Sequence, residues 1–310
     1  MMQKFAKPAK SQFGKYLFCY FVGNAPDEET IHFAVSEDGY HFRALNNNQP
    51  VIKQTKGKLA NRDPFLFRGQ NGEFYIIATD MRSELGWASN NSMISWRSTD
   101  LVNWTDETVI DFSQFEETKT ADRVWAPEVI FDQNKGEYMI YWSNHNANSD
   151  DNTTSLYYAY SKDMKTLTTK PCKLFRPSNG LDAIDADIIF NNGKYYMYYK
   201  DEYNKTICLV IADNIAGPYC EYPDNVVACT PLHVEGNCMY KINGTDTYVM
   251  IMDKYVDGGY FMQQTTDMLN FEPVCEDDFS LNHLRPRHGS MLSVTDEEYK
   301  ALINHFGIGE

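Results

Sequence analysis

The sequence predicts an all-β fold, a five-bladed β-propeller in which strands from the two chain ends close one blade and a short helix ends the chain. Three observations carry this. One strand-turn-strand segment recurs five times, a hairpin headed by an acidic residue recurs four times, and a fifth hairpin exists only if the termini are joined. Four-stranded units set around a ring, with one unit built from both ends, leave no long sheet edge open to aggregation. A length of 310 residues is ample for one such ring, so residues 1–310 are read as one domain, with its ordered core at about 15–305.

In chain order, "KYLFCYFVGN" (15–24) is a strand that lacks a hairpin partner nearby. "FAVSEDGYHF" (33–42) opens the recurring segment, followed by "ISWRSTDLVNW" (94–104), "YYAYSKDMKTL" (157–167), "LVIADNIAGPY" (209–219) and "MQQTTDMLNF" (262–271). Each alternates apolar and polar positions, turns at a polar residue plus Asp, and resumes at an aromatic residue or Leu. Aligned on Asp38, Asp100, Asp163, Asp213 and Asp267, the steps are 62, 63, 50 and 54 residues, long for a blade repeat and therefore leaving room for loops on one face.

Between these segments lie the hairpins "DPFLFRGQNGEFYIIATD" from Asp63, "EVIFDQNKGEYMIYWSN" from Glu128, "DADIIFNNGKYYMYYKDE" from Asp185 and "EGNCMYKINGTDTYVMIMD" from Glu235. Each turns at a glycine (Gly72, Gly136, Gly193, Gly244), as tight hairpins require. "RHGSMLSV" (287–294), headed by His288, supplies the strand missing beside residues 15–24. The chain then reads "TDEEYKALINHF": Thr295 and Glu298 have capping-box spacing, and Tyr299, Leu302, Ile303 and Phe306 form an apolar stripe, which predicts a structural helix packed on the outside.

Composition narrows the function. With 28 basic against 43 acidic residues the formal charge is -15, and no Lys/Arg block occurs, which excludes nucleic acid and anionic membranes as partners. The seven cysteines show no C-x-x-C or zinc-type spacing and are expected as buried free thiols. The opening "MMQKFAKPAKSQFGKYLF" has no leader-like apolar run and no 18-residue apolar stretch follows, so compartment stays open: secreted or periplasmic if a leader has been removed, otherwise cytoplasmic.

The acids at the hairpin heads are the chemical clue. In a propeller the first strand of each blade lines the axis, so Asp63, Glu128, Asp185, Glu235 and His288 are expected at one rim, facing one pocket. Gathering four carboxylates is unfavourable, because like charges and burial both raise their pKa values. Such a cluster suits acid/base chemistry on an acetal, with one protonated acid for the leaving oxygen and one ionised base for water. A calcium site is the other reading, without the Asp/Asn-rich loop of the familiar calcium motifs.

"RDPFLF", "WAPEVIF", "IDADIIFNNGKYYMYYKDE", "VEGN" and "RHGSML", in that order and spacing, resemble glycoside hydrolase family 43, a family of five-bladed propellers, across about residues 15–305. The resemblance implies an inverting glycosidase with Asp63 as general base, Asp185 as modulator of the acid's pKa and Glu235 as general acid; Asp187, of the same strand parity as Asp185, competes for the modulating role. It further implies that Trp125 walls a sugar pocket and that Glu128 reaches it. His288 would lie on the axis, holding a water or a calcium ion, and Arg287 and Arg285 would bind sugar hydroxyls. No cofactor is required, and a structural calcium ion is the one metal that the resemblance brings. Two loops, 81–92 and 144–155, are expected to set specificity through Trp87, Asn144 and His145. Asn237 stands where the family more often has Pro. "RDP" also occurs in invertase-type propellers, whose N-terminal signature is missing here. The expected substrates are arabinose- or xylose-containing glycans: α-L-arabinofuranosidase first, then β-xylosidase, xylanase or exo-galactosidase. A non-catalytic carbohydrate-binding propeller is the contrasting class, and it would need neither Asp63 nor Glu235.

Overall fold

The computed structural model describes residues 12–147, 152–227 and 229–309. It is an all-β ring of five antiparallel four-stranded sheets. Strands β1 (Phe13–Tyr20), β2 (His32–Ser36) and β3 (Phe42–Ala44) form the first blade together with the last strand of the chain, β20 (Gly289–Thr295), in the order β20-β1-β2-β3. Blade two is β4 (Asn61–Arg68), β5 (Phe74–Asp80), β6 (Ser92–Ser98) and β7 (Trp104–Asp111). Blade three is β8 (Ala121–Asp132), β9 (Glu137–Asn146), β10 (Ser155–Ser161) and β11 (Cys172–Phe175). Blade four is β12 (Ala183–Asn191), β13 (Lys194–Asp201), β14 (Thr206–Ala212) and β15 (Cys220–Val226). Blade five is β16 (Glu235–Lys241), β17 (Tyr248–Asp253), β18 (Tyr260–Thr265) and β19 (Glu272–Pro273). The closure predicted from the termini is present, with Leu17 facing Leu292 and Tyr20 facing Gly289.

Alternation along each strand sends neighbouring side chains to opposite faces, and here the two faces meet different blades. Leu17 and Cys19 of β1 pack with Leu66, Ile76 and Trp96 of blade two, whereas Tyr16, Phe18 and Tyr20 pack with Tyr240, Ile251 and Met262 of blade five. The core is consequently divided into five seams, one at each blade junction.

The helix α1 (Asp296–Phe306) follows β20 directly. Thr295 Oγ1 accepts from Glu298 N and Glu298 Oε2 accepts from Thr295 N, closing the predicted capping box. Glu298 is also gripped by both terminal nitrogens of Arg68, at 2.7 and 2.8 Å, which ties the helix to blade two. Tyr299 and Leu302 are buried in the seam between blades one and two.

The cysteine expectation holds in part. Cys19, Cys208 and Cys238 are buried, Cys172 is half-buried, and Cys220, Cys229 and Cys275 are exposed because they lie on an outer strand and in loops; none is disulfide-bonded.

Candidate active site

The innermost strands of blades two to five share one irregularity. In β4, β8, β12 and β16 the pairing slips by a bulge, between Arg62 and Phe65, Trp125 and Glu128, Ile184 and Asp187, and Glu235 and Cys238. The first bulged residue has a positive φ in each case: Asp63 (50°), Ala126 (45°), Asp185 (52°) and Gly236 (58°). A bulge re-aims the side chains at the end of a strand, and here it turns the start of each axial strand into the ring's opening.

This alignment corrects the expected register. Asp63 and Asp185 occupy equivalent positions, but Glu235 stands one residue before the bulged position and Glu128 two after it. In blade one, Ser290 Oγ accepts from Leu66 N just as Asp187 Oδ2 accepts from Met239 N, which puts His288 level with Asp63. The axis therefore carries an upper level of Arg62, Trp125, Ile184, Glu235 and Arg287, a middle one of Asp63, Ala126, Asp185, Gly236 and His288, and a lower one of Phe65, Glu128, Asp187, Cys238 and Ser290. Sequence parity alone hid this, because the distance from head to turn glycine differs between hairpins.

The upper level and two acids of the middle level line a cavity of about 520 Å³. Asp63, Asp185 and Glu235 open into it from three blades, and Trp125, Trp87 and Arg287 also line it. Trp87 is 52 % exposed at the rim, edge-on to Trp125 with ring centroids 6.5 Å apart, and the guanidinium of Arg62 stacks over it at 5.1 Å.

Several predicted contacts lie elsewhere. Glu128 is buried beneath the pocket, accepting from the Tyr141 hydroxyl at 2.7 Å. Asp187 lies at the same depth with Oδ2 bonded to Met239 N, so the competition for the pocket position falls to Asp185. His145 is spent on structure: Nδ1 meets Asp122 at 2.5 Å and Nε2 meets Asn152 at 3.2 Å. Asn144 is buried, accepting from Trp142 Nε1. Arg285 points outward to Glu28 at 2.6 Å. Residues 148–151 of the 144–155 loop, and 1–11 of the N-terminal stretch, lie outside the described residues. Asn237, which stands where the family more often has Pro, is fully buried and donates to the Tyr198 carbonyl.

The acids differ in environment. Burial opposes the charge of Asp63, but His288, Arg62 and a hydrogen bond from Thr79 Oγ1 (2.8 Å) outweigh it and hold the carboxyl below its ordinary range. Burial dominates at Asp185, where the charges of Glu235 and Asp63 add to it, and its pKa is raised even though Oδ2 accepts from Gly236 N at 3.0 Å. Beneath them, burial lifts Asp187 to about 7 and Glu128 well above the carboxylate range. Burial would also keep His288 neutral, yet the carboxylates of Asp63, Asp185 and Glu235 prevail and raise it to about 9; its Nδ1 stands 3.5 Å from Asp63 Oδ1. Gly236 is obligatory beside it, since a Cβ there would meet His288 Cβ at 2.7 Å and its φ is positive.

No group of three or more His, Cys, Asp or Glu side chains among the described residues is arranged to hold a metal ion. No step is routed through a metal ion.

Chemically, an ionised buried carboxylate, a second carboxyl biased toward its protonated form and a third carboxylate at the rim share one pocket with an aromatic wall. Comparison with known proteins identifies the family. A family model described as "Probable glycosyl hydrolase domain", related to glycoside hydrolase family 43, matches residues 11–300. An α-L-arabinofuranosidase of Bifidobacterium longum is 26 % identical over 200 residues, 58 % of this chain, and the chain spans only 18 % of that protein. The exo-β-1,3-galactanase of Clostridium thermocellum shares the fold at TM-score 0.55 and 16 % identity, covering 72 % of this chain and 50 % of that one. An endo-1,4-β-xylanase of Bacteroides thetaiotaomicron does so at TM-score 0.62 and 13 % identity, covering 84 % and 91 %. The chain belongs to the glycosyl hydrolase domains related to glycoside hydrolase family 43.

Proposed function

We propose that the protein is an inverting glycosidase, in which Asp63 activates water, Glu235 protonates the departing sugar oxygen and Asp185 holds and tunes the acid. The observation that carries this is the convergence of these three carboxylates, from three separate blades, on one aromatic-walled cavity. Asp63 is suited to act as base because His288 and Thr79 favour its ionised form. Asp185 Oδ2 holds the backbone of Gly236, and so fixes the strand from which Glu235 projects. A single displacement places acid and base on opposite sides of the sugar with about 6.5–9.5 Å between their carboxyls. No cofactor enters the scheme.

The substrate is proposed as an arabinose-containing plant glycan, supported by the arabinofuranosidase relative. A β-galactoside is the second reading, favoured by the galactanase that shares the fold, and a β-xyloside the third. A binding-only propeller would have no use for a base held ionised opposite an acid.

The test is p-nitrophenol release from α-L-arabinofuranoside, β-galactoside and β-xyloside, with Asp63→Asn as control. One sugar should be cleaved, and the control should abolish the signal. Glu235→Gln should lower kcat on glycosides with poor leaving groups by about 10²–10⁴-fold while leaving the circular dichroism spectrum unchanged. Wild-type turnover in that variant would remove Glu235 from the role of acid.

A further inference from the structure

The cavity holds a cation that the reading of the sequence passed over. Lys200, near the end of β13, is 2 % exposed, yet its Nζ lies 2.7 Å from Glu235 Oε2 and 2.6 Å from Glu202 Oε1, over the Tyr255 ring at 4.2 Å. The other oxygen of Glu235 faces Arg287 Nη2 at 3.2 Å. Both oxygens of the proposed acid are thus held by cations, whereas a general acid must carry a proton on one of them.

The two cations are held differently. Arg287 is bound through Nε to Asp253, which is buried on β17. Lys200, like Arg287, bridges two carboxylates, but its second partner, Glu202, lines the cavity, whereas Asp253 does not, and Glu202 also meets Lys205 Nζ at 2.5 Å. Glu202, which also lines the cavity, can keep Lys200 paired after Glu235 is released, so the exchange leaves no buried charge alone, the outcome that makes breaking such pairs costly. Asp185 of β12, Asp253 of β17 and His288 ahead of β20 also interact electrostatically with Glu235.

Resting on the assignment of Glu235 as the acid, we propose that Lys200 is a positioning residue that holds Glu235 as a carboxylate in the empty cavity and withdraws to Glu202 when a sugar oxygen enters between them. Glu235 then takes a proton from solvent and passes it to the glycosidic oxygen as the bond breaks. Asp63 takes one from the attacking water, whose hydroxide adds to the sugar, and later returns that proton to solvent, so that the cycle balances. The Glu235 carboxylate so regenerated recaptures Lys200, which keeps its own proton throughout.

The experiment is the pH profile of kcat/KM, whose alkaline limb reports the acid in the free enzyme. Removing one close cation should move that limb upward by about one pH unit or more in Lys200→Met. Lys200→Arg should restore it. Glu202→Gln, which leaves Lys200 to Glu235 alone, should move it downward. A loss of packing does not shift the limb in opposite directions. Limbs that stay put, or that move together, overturn the proposal; if Lys200→Met does not fold, Glu202→Gln and Lys200→Arg decide. Glu235→Gln is run alongside: full activity there overturns the acid assignment and this inference with it, whereas an inactive Glu235→Gln with unmoved limbs overturns this inference alone. Should no substrate in the panel be cleaved, ¹³C NMR titration of the Glu235 carboxyl, identified by its loss in Glu235→Gln, reads the same opposite shifts in the free protein.

Discussion

Four axial strands carry at their bulge a residue in the left-handed region: Asp63, Ala126, Asp185 and Gly236. Asp63 and Asp185 are non-glycine residues held there at a cost of about 1–3 kcal/mol each, a strain that structures retain where position matters more than stability. The ring around them is settled electrostatically by His288. Its ordinary pKa is about 6.5, and in the folded protein it is raised to about 9. The stabilisation it brings is therefore complete below the unfolded value and lost as pH rises through about 9. NMR titration of the ring should find imidazolium at pH 7.5; a neutral ring at that pH would falsify the charged axis. His288→Asn should free Asp63 from its cation and move the acidic limb of kcat/KM upward, because the base would then ionise at higher pH.

The recurring Asp proves to be a device of the strand-turn-strand element. In four of the five copies a Ser or Thr two residues earlier donates to it: Ser36 to Asp38, Ser98 to Asp100, Ser161 to Asp163 and Thr265 to Asp267. The same carboxylate then accepts the two backbone N–H groups that follow, as from Val102 and Asn103 at Asp100. In the fourth copy Ile211 stands where the others have the hydroxyl residue, and Asp213 instead meets Lys194 at 2.8 Å. Asp100→Ala should cost about 1.5–3 kcal/mol in urea unfolding, the range for hydrogen bonds to a charged group, and Asp213→Ala clearly less. The two Asn270 bonds, one from its backbone and one from its side chain, lead the causes that hold Asp267 at about 2, with burial working against them, so its contribution is present above the usual carboxylate pKa and is lost as pH falls through about 2.

For the whole molecule, the five-seam core makes closure the decisive interaction. β20 is the axial strand of the first blade, and its departure would expose β1 together with the seams on both sides. A chain ending at residue 286 should lose cooperative thermal unfolding and aggregate, because an open ring has two unpaired edges. A variant lacking only residues 296–310 should keep a cooperative but lowered transition, since it loses the helix and the Arg68–Glu298 pair while retaining the ring. Among the described residues no helix is long and apolar enough to cross a membrane.

Blade number, the closing termini, the C-terminal helix and the chemical character of the axis were legible in the sequence, because strand alternation, turn glycines and the repeated Asp are local signals that survive divergence between repeats. The depth of each acid was not legible. A bulge adds one residue without changing local composition, so Glu128 reads like Asp63 along the chain and lies a level below it in space. His145 and Arg285 looked available because the partners that occupy them, Asp122 and Glu28, lie 23 and 257 residues away. Lys200 lay within a quoted fragment, but nothing local marked it, one residue before the end of an ordinary strand. Only the ring, by setting the end of β13 beside the start of β16, placed its charge on Glu235, and no reading of either strand separately contains that contact.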